Sequence, residues 1–270
     1  MNHFMSLDNL QRSAPSIFTM MGAEKMSNKY KHISTIDVIR GLASEGFMPV
    51  KAVQNRVRIK DNAPFTKHMV RFRHIDSVPT VGGLLPELVL VNSHDGLSSY
   101  RLTAGLYRLV CSNGLVAGET FSEVRVKHQG EVVKNVIGGS YTVMKEAAVL
   151  LEHAEQMGNI NLSIPEKQIF AEAAHQLRFN GDDSLTKEAI KPLQFLEPRR
   201  YQENGKSDLF TIFNVVQENM IKGGLRGWAS DEKGRAKCVS TREIKSIDQN
   251  NSLNRALWTL AEKMMRLRRA

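Results

Sequence analysis

The sequence predicts an α+β protein: an antiparallel sheet from about residue 50 to 129 with one basic face, helices backing the other face, and a helical C-terminal half. Three patterns predict it. In 67–74, KHMVRFRH, side chains alternate between faces, so His68, Val70, Phe72 and His74 share one side while Lys67, Met69, Arg71 and Arg73 share the other. Leu88 to Val91 is apolar at every position, as in an interior strand. From Tyr141 onward apolar residues recur at helical spacing instead: Val143, Ala147, Leu150, Leu151 and Ala154.

Taken in order, residues 1–30 show little periodicity and read as a flexible arm. A short helix over 35–43 follows, capped by Ser34 or Thr35, with Ile36, Ile39 and Leu42 inward. Residues 53–60 read as a strand with Val53, Val57 and Ile59 on one face and Arg56, Arg58 and Lys60 on the other; 61–64 turns the chain into 67–74. His94-Asp95-Gly96 reads as a turn and Asn113-Gly114 as a hairpin, since these residues supply turn chemistry and tolerate positive φ. In 121–128, Val124 and Val126 oppose Arg125 and Lys127. The helix from 141 runs to about 156. Ser163-Ile164-Pro165-Glu166 is a capping box that opens a helix ended by Asn180-Gly181. Residues 181–206, with Pro192, Pro198 and Gly205, read as a connector. Ser207 or Asp208 caps a helix that Gly223-Gly224 stops; 224–247 is basic and turn-rich; Ser252 caps the last helix. The expected domains are the arm (1–30), an α+β core (31–180), the connector (181–206) and a helical region (207–270) packing on the core.

The 270 residues carry 37 Lys and Arg against 28 acids, a net charge of +9, which favours an acidic partner. Seven cations from residue 51 to 75 (Lys51, Arg56, Arg58, Lys60, Lys67, Arg71 and Arg73) stand against Asp61 alone. Side by side on neighbouring strands, like charges repel unless an anion joins them. Tyr100-Arg101 and Tyr107-Arg108 repeat an aromatic beside an arginine, a pairing that stacks bases and holds phosphates. The candidate nucleic-acid contacts are therefore Arg56, Arg58, Lys60, Lys67, Arg71, Arg73, Tyr100, Arg101, Arg108, Arg125 and Lys127. A second basic segment, 222–245, has seven Lys/Arg against three acids.

Catalytic and cofactor patterns are missing. Gly82-Gly83 and Gly138-Gly139 lack the flanks of a phosphate loop, and no zinc-ligand spacing occurs, so neither a cofactor nor a metal is expected. His94 and Asp95 form an acid/base or metal pair only in a nuclease reading; Ser93 and Gly96 beside them favour a plain turn. His68 and His74 share a strand face with Val70 and Phe72 and read as structural. Gln217, Glu218 and Asn219 spread around their helix and make no compact ligand set. The two cysteines, Cys111 and Cys238, lie far apart, and neither a run of 18 apolar residues nor a secretory leader occurs, so a cytoplasmic protein without a membrane partner is expected.

The stretches NSHDGLSSYRLTAGLYRLVCSNGLVAG, DLFTIFNVVQENMIKGG and SLNRALWTLAE resemble the domain-of-unknown-function family 932, over roughly residues 33–267. The resemblance implies a phage, plasmid or other mobile-element setting and brings no catalytic residues. The expected function is binding or annealing of single-stranded DNA through the basic sheet face, by analogy with annealing proteins of mobile elements, whose basic sheet is backed by a helix. The alternatives are binding of a host defence protein and, third, a metal-dependent nuclease. A homo-oligomer is compatible with the sequence.

Overall fold

The computed structural model describes residues 4–23, 32–80, 83–96, 98–108, 113–116, 123–181, 185–230 and 233–268. It divides into two compact units, 1–151 and 152–270. In the first, helix α1 (Leu7–Ser13) is capped by the Ser6 hydroxyl, which accepts from the Asn9 N–H, and a 3-10 turn, Pro15–Phe18, follows. Leu10, Ala14 and Ile17 are buried, so this segment, expected as part of a flexible arm, is held in the core. Helix α2 (Thr35–Ser44) buries Ile36, Ile39 and Leu42.

Six strands form the sheet: β1 (Phe47–Gln54), β2 (His68–His74), β3 (Leu84–Asn92), β4 (Tyr100–Arg108), β5 (Asn113–Val116) and β6 (Val124–Val126). All pairings are antiparallel, in the order β1-β2-β3-β4, with β5 and β6 sharing the outer edge of β4. Leu88 to Val91 lies in β3, buried on both faces as expected. Asn113-Gly114, expected as the hairpin turn, is strand: Arg108 pairs with Asn113, and residues 109–112 between them lie outside the described residues.

The strand expected over 53–60 instead spans 47–54, and a bulge explains the shift. Pro49 pairs with Phe72 but Lys51 with Arg71, leaving Val50 as the extra residue. Phe47 and Ala52 have opposite parity, yet both are buried at positions opposite His74 and Val70. Strict alternation would expose one of them.

Helix α3 (Val132–Gly158) begins nine residues before the expected start and runs across the boundary between the units. Gly139 lets it approach the sheet: a Cβ there would lie 2.8 Å from Val124 and 3.0 Å from Leu102.

In the second unit, α4 (Ile164–Arg178) opens with the expected capping box, the Glu166 carboxylate accepting from the Ser163 N–H at 2.7 Å. The described part of the expected connector is structured: α5 (Leu185–Ala189) and a 3-10 turn, Pro192–Leu196, follow one another, Ile190 and Phe195 are buried, and the His175 ring donates to the Ile190 carbonyl at 2.9 Å. Helix α6 (Leu209–Lys222), capped by Asp208, is buried nearly all round. Its polar residues find separate partners. Gln217 donates to Asn254, Asn219 accepts from Arg199, and Arg200 and Lys222 both donate to Glu218. Burial raises the Glu218 pKa, but the Arg200 and Lys222 hydrogen bonds outweigh it and hold the carboxyl below its usual range. The basic segment after α6 forms a hairpin of β7 (Arg226–Ser230) and β8 (Ala236–Ser240). The last helix, α7 (Ile247–Leu267), is capped by Ser246 rather than Ser252.

Candidate nucleic-acid interface

Past the end of β1 the chain leaves the sheet as a loop that bends at Arg58 and Ile59. Arg56, Val57, Arg58, Ile59 and Lys60 are all exposed, alternating cation and apolar side chain, with Ile59 61% exposed. The loop is anchored beneath: the Gln54 amide donates to the Ala63 carbonyl at 3.0 Å and accepts from the Ser16 N–H at 2.9 Å. Thr19 donates to the Pro64 carbonyl at 2.6 Å. A 3-10 segment, Lys60–Phe65, then leads back to half-buried Lys67 and β2. Lys51, one turn of the pleat before the loop, is exposed as well.

The two arginines of β2 behave differently. Arg71 and Arg73 do lie on the face away from His68, Val70 and Phe72, but they are 5% and 6% exposed. Both guanidinium groups pair with buried Glu87, Arg73 at 2.7 Å, and lie 5.4 and 4.9 Å from the centre of the Tyr107 ring. A buried carboxylate between two cations satisfies them locally. The expected continuous field of cations on β1 and β2 is thus not formed: Arg56, Arg58 and Lys60 are off the strand, and Arg71 and Arg73 are engaged inside. Tyr100 is fully buried and donates to the Ile33 carbonyl at 2.8 Å, so it has no ring face for a base. Arg101 and Arg108 are half-buried on β4; Arg125 is exposed and paired with Glu123 at 2.6 Å; Lys127 is exposed.

Sequence reading missed what lies beneath the loop. The β2 start, the β3 end and the segment after β6 bring His68, His94 and His128 together, and His32 joins them, with ring centres 4.8 Å (His32–His94), 5.4 Å (His68–His94) and 6.4 Å (His94–His128) apart. A hydrogen-bond network joins the rings. His68 Nδ1 lies 2.8 Å from the Ser16 hydroxyl and 3.1 Å from the Thr66 carbonyl, and its Nε2 lies 2.9 Å from the Thr35 hydroxyl. Asn92 Nδ2 donates to Thr35 Oγ1 at 3.1 Å. The same Thr35 hydroxyl lies 3.2 Å from His94 Nε2. His94 Nδ1 has no hydrogen-bond partner among the described residues. His128 Nε2 donates to Asn92 Oδ1 at 3.0 Å.

Burial drives these rings to neutrality, lowering the pKa of His68 to about 4 and of His94 to about 2, with neighbouring histidines adding to the shift at His94. His128 is lowered for the same first reason. His94-Asp95-Gly96 is the expected turn: Ser93 donates to Asp95 at 2.6 Å and Gly96 has φ +78°. Among the described residues no three His, Cys, Asp or Glu side chains converge as metal ligands, and His68 and His94 are 0% exposed. His68, His94 and His128 are thus buried and His32 half-buried, while the loop presents its cations to solvent.

Comparison with known proteins adds a family. The model of the "Domain of unknown function (DUF932)" matches residues 23–258. UPF0380 protein YafZ and UPF0380 protein YfjQ, both of Escherichia coli (strain K12), are each 41% identical over 261 residues, covering 97% of this chain and 92% of theirs. No solved structure matches.

Proposed function

The chain belongs to the DUF932 family, and we propose that it binds nucleic acid, single-stranded in preference to duplex, through the loop after β1. The observation that carries the proposal is the run of five exposed residues, Arg56 to Lys60, in which three cations alternate with Val57 and Ile59. Exposed cations suit phosphates. Apolar side chains between them suit bases that a single strand leaves unstacked and a duplex seals away. Lys51 extends the positive surface. Arg71, Arg73 and Tyr100 drop out of the contact set because they are buried and partnered. The mobile-element setting implied by the resemblance, the cytoplasmic location and any annealing step belong to this proposal; among the described residues no helix is long and apolar enough to cross a membrane.

The test is fluorescence anisotropy with labelled single-stranded and duplex oligonucleotides, using the unaltered chain and an Arg56→Gln/Arg58→Gln double variant. Binding of the single strand should be tighter, and the variant should weaken it while remaining folded, because substitutions on an exposed loop cost about 0.5 kcal/mol or less. Val57 and Ile59 also favour a second reading, an acidic host protein docked on the same loop. That reading gains if the unaltered chain binds neither oligonucleotide yet retains a host protein that the double variant loses.

A further inference from the structure

In the second unit, the β7–β8 hairpin carries an exposed indole, that of Trp228. Gly227 is pressed against α5: a Cβ there would lie 2.2 Å from the Ala189 carbonyl oxygen. With Gly227 facing inward, strand alternation turns Arg226, Trp228 and Ser230 outward. Their cross-strand partners are Ser240, Cys238 and Ala236, all small and all exposed, so none of the three shields the ring. Trp228 is 71% exposed and makes no ring contact among the described residues. A single exposed apolar side chain is ordinary. This one shares its face with exposed Arg226, and exposed Lys233, Arg235, Lys237, Arg242 and Lys245 lie along the same stretch.

We infer that Trp228 is a stacking platform for a nucleic-acid base, with Arg226 holding an adjacent phosphate, so that the second unit makes its own contact with a single strand. The inference rests on the nucleic-acid reading above and deepens it. Charge complementarity selects this occupant: an aromatic face beside cations meets a base and its phosphate together, whereas a base-free polyanion or an anionic lipid surface would use the cations alone.

The chain supplies its own probe. Of its two tryptophans, Trp258 is 0% exposed, edge-on to Phe213 at 5.5 Å, and Trp228 is the exposed one. Oligothymidylate should quench part of the tryptophan emission, while inorganic polyphosphate and anionic phosphatidylserine vesicles should not. Trp228→Ala should abolish the quenching and weaken oligonucleotide binding about 5- to 150-fold, with the salt dependence unchanged. Arg226→Gln should keep the quenching and reduce the salt dependence. Salt-sensitive binding without quenching of the unaltered chain would overturn the stacking inference and leave the loop reading standing. Equal quenching by polyphosphate or by vesicles would overturn it too. If no oligonucleotide binds at all, the loop reading fails first and this inference with it.

Discussion

Acidification from about pH 7.5 to about pH 5 should destabilise the first unit well before its carboxylates titrate. The perturbation acts on the buried histidines. His68 and His94 have folded pKa values of about 4 and about 2, against about 6.5 in an unfolded chain. Because the folded values are depressed, the unfolded state takes up more protons between them and 6.5, and stability falls as pH drops through that window. At pH 5 each group contributes a loss of about 2 kcal/mol, a large share of a typical domain's 5–15 kcal/mol. The loss begins near pH 6.5 and continues towards pH 4 for His68 and beyond it for His94. The charged groups facing the pair are few: His128 and His32 oppose protonation, and Asp95 favours it at His68. Urea unfolding followed by circular dichroism at half-unit pH steps measures the slope. His94→Gln should start less stable at pH 7.5, because Thr35 loses a hydrogen-bond partner or gains a poorer one, and should lose about half of the pH dependence. A free energy of unfolding that stays level from pH 7.5 to 5, or a His94→Gln variant with the full slope, would refute the assignment of neutral, sealed rings.

Two further substitutions test the packing of the first unit. Gly138→Ala and Gly139→Ala form a matched pair within α3: a Cβ at 138 meets nothing within 4 Å, so helix propensity should stabilise by up to about 1 kcal/mol, whereas at 139 it strikes Val124 and Leu102 and should cost about 1–3 kcal/mol in urea unfolding. Glu87→Gln should cost about 3–5 kcal/mol, because it leaves Arg71 and Arg73 buried together without their counter-charge; a near-neutral effect would mean that the pair is not ion-bonded in solution.

Much of the fold was legible wherever periodicity was clean. β2 fell on its residues and Leu88 to Val91 fell within β3 because alternation and continuous apolarity are local signals, although β3 begins earlier, at Leu84, in a stretch whose prolines and glycines read as a loop. So did α4, through its capping box, and α6, through Asp208 and the glycine stop. β1 was misplaced because a bulge at Val50 breaks the alternation that identifies a strand, while 53–60 imitates that alternation in an exposed loop. The start of α3 was missed because the apolar stripe was followed only from Val143 onward, past Gly138-Gly139, where Gly139 allows close approach to the sheet. The basic face was overread for two reasons: Arg56, Arg58 and Lys60 lie beyond the end of β1, and the partner of Arg71 and Arg73 is Glu87, which lies on the neighbouring strand. A lone acid in the apolar run LLPELVLV was the available signal, since a buried carboxylate needs cations beside it. The histidine cluster could not be seen, because His32, His68, His94 and His128 are brought together only by sheet register and by the chain that leads into α2. The β7–β8 hairpin carried a weak signal, Gly227 and Trp228 in alternation, that a turn-rich reading passed over.

The central claim, that the exposed loop after β1 holds phosphates, is tested most directly by the salt dependence of single-strand binding. Each phosphate neutralised releases counterions, so log affinity should fall linearly with log salt at about 0.7 per contact. With Lys51 on β1 and Arg56, Arg58 and Lys60 after it all exposed, this surface should account for a slope of about −2 to −3, and the Arg56→Gln/Arg58→Gln variant should lose about 1.4 of it. Binding to single-stranded oligonucleotide with that slope, reduced by that amount in the folded double variant, is the predicted result. A folded double variant with the slope and affinity of the unaltered chain would contradict the account.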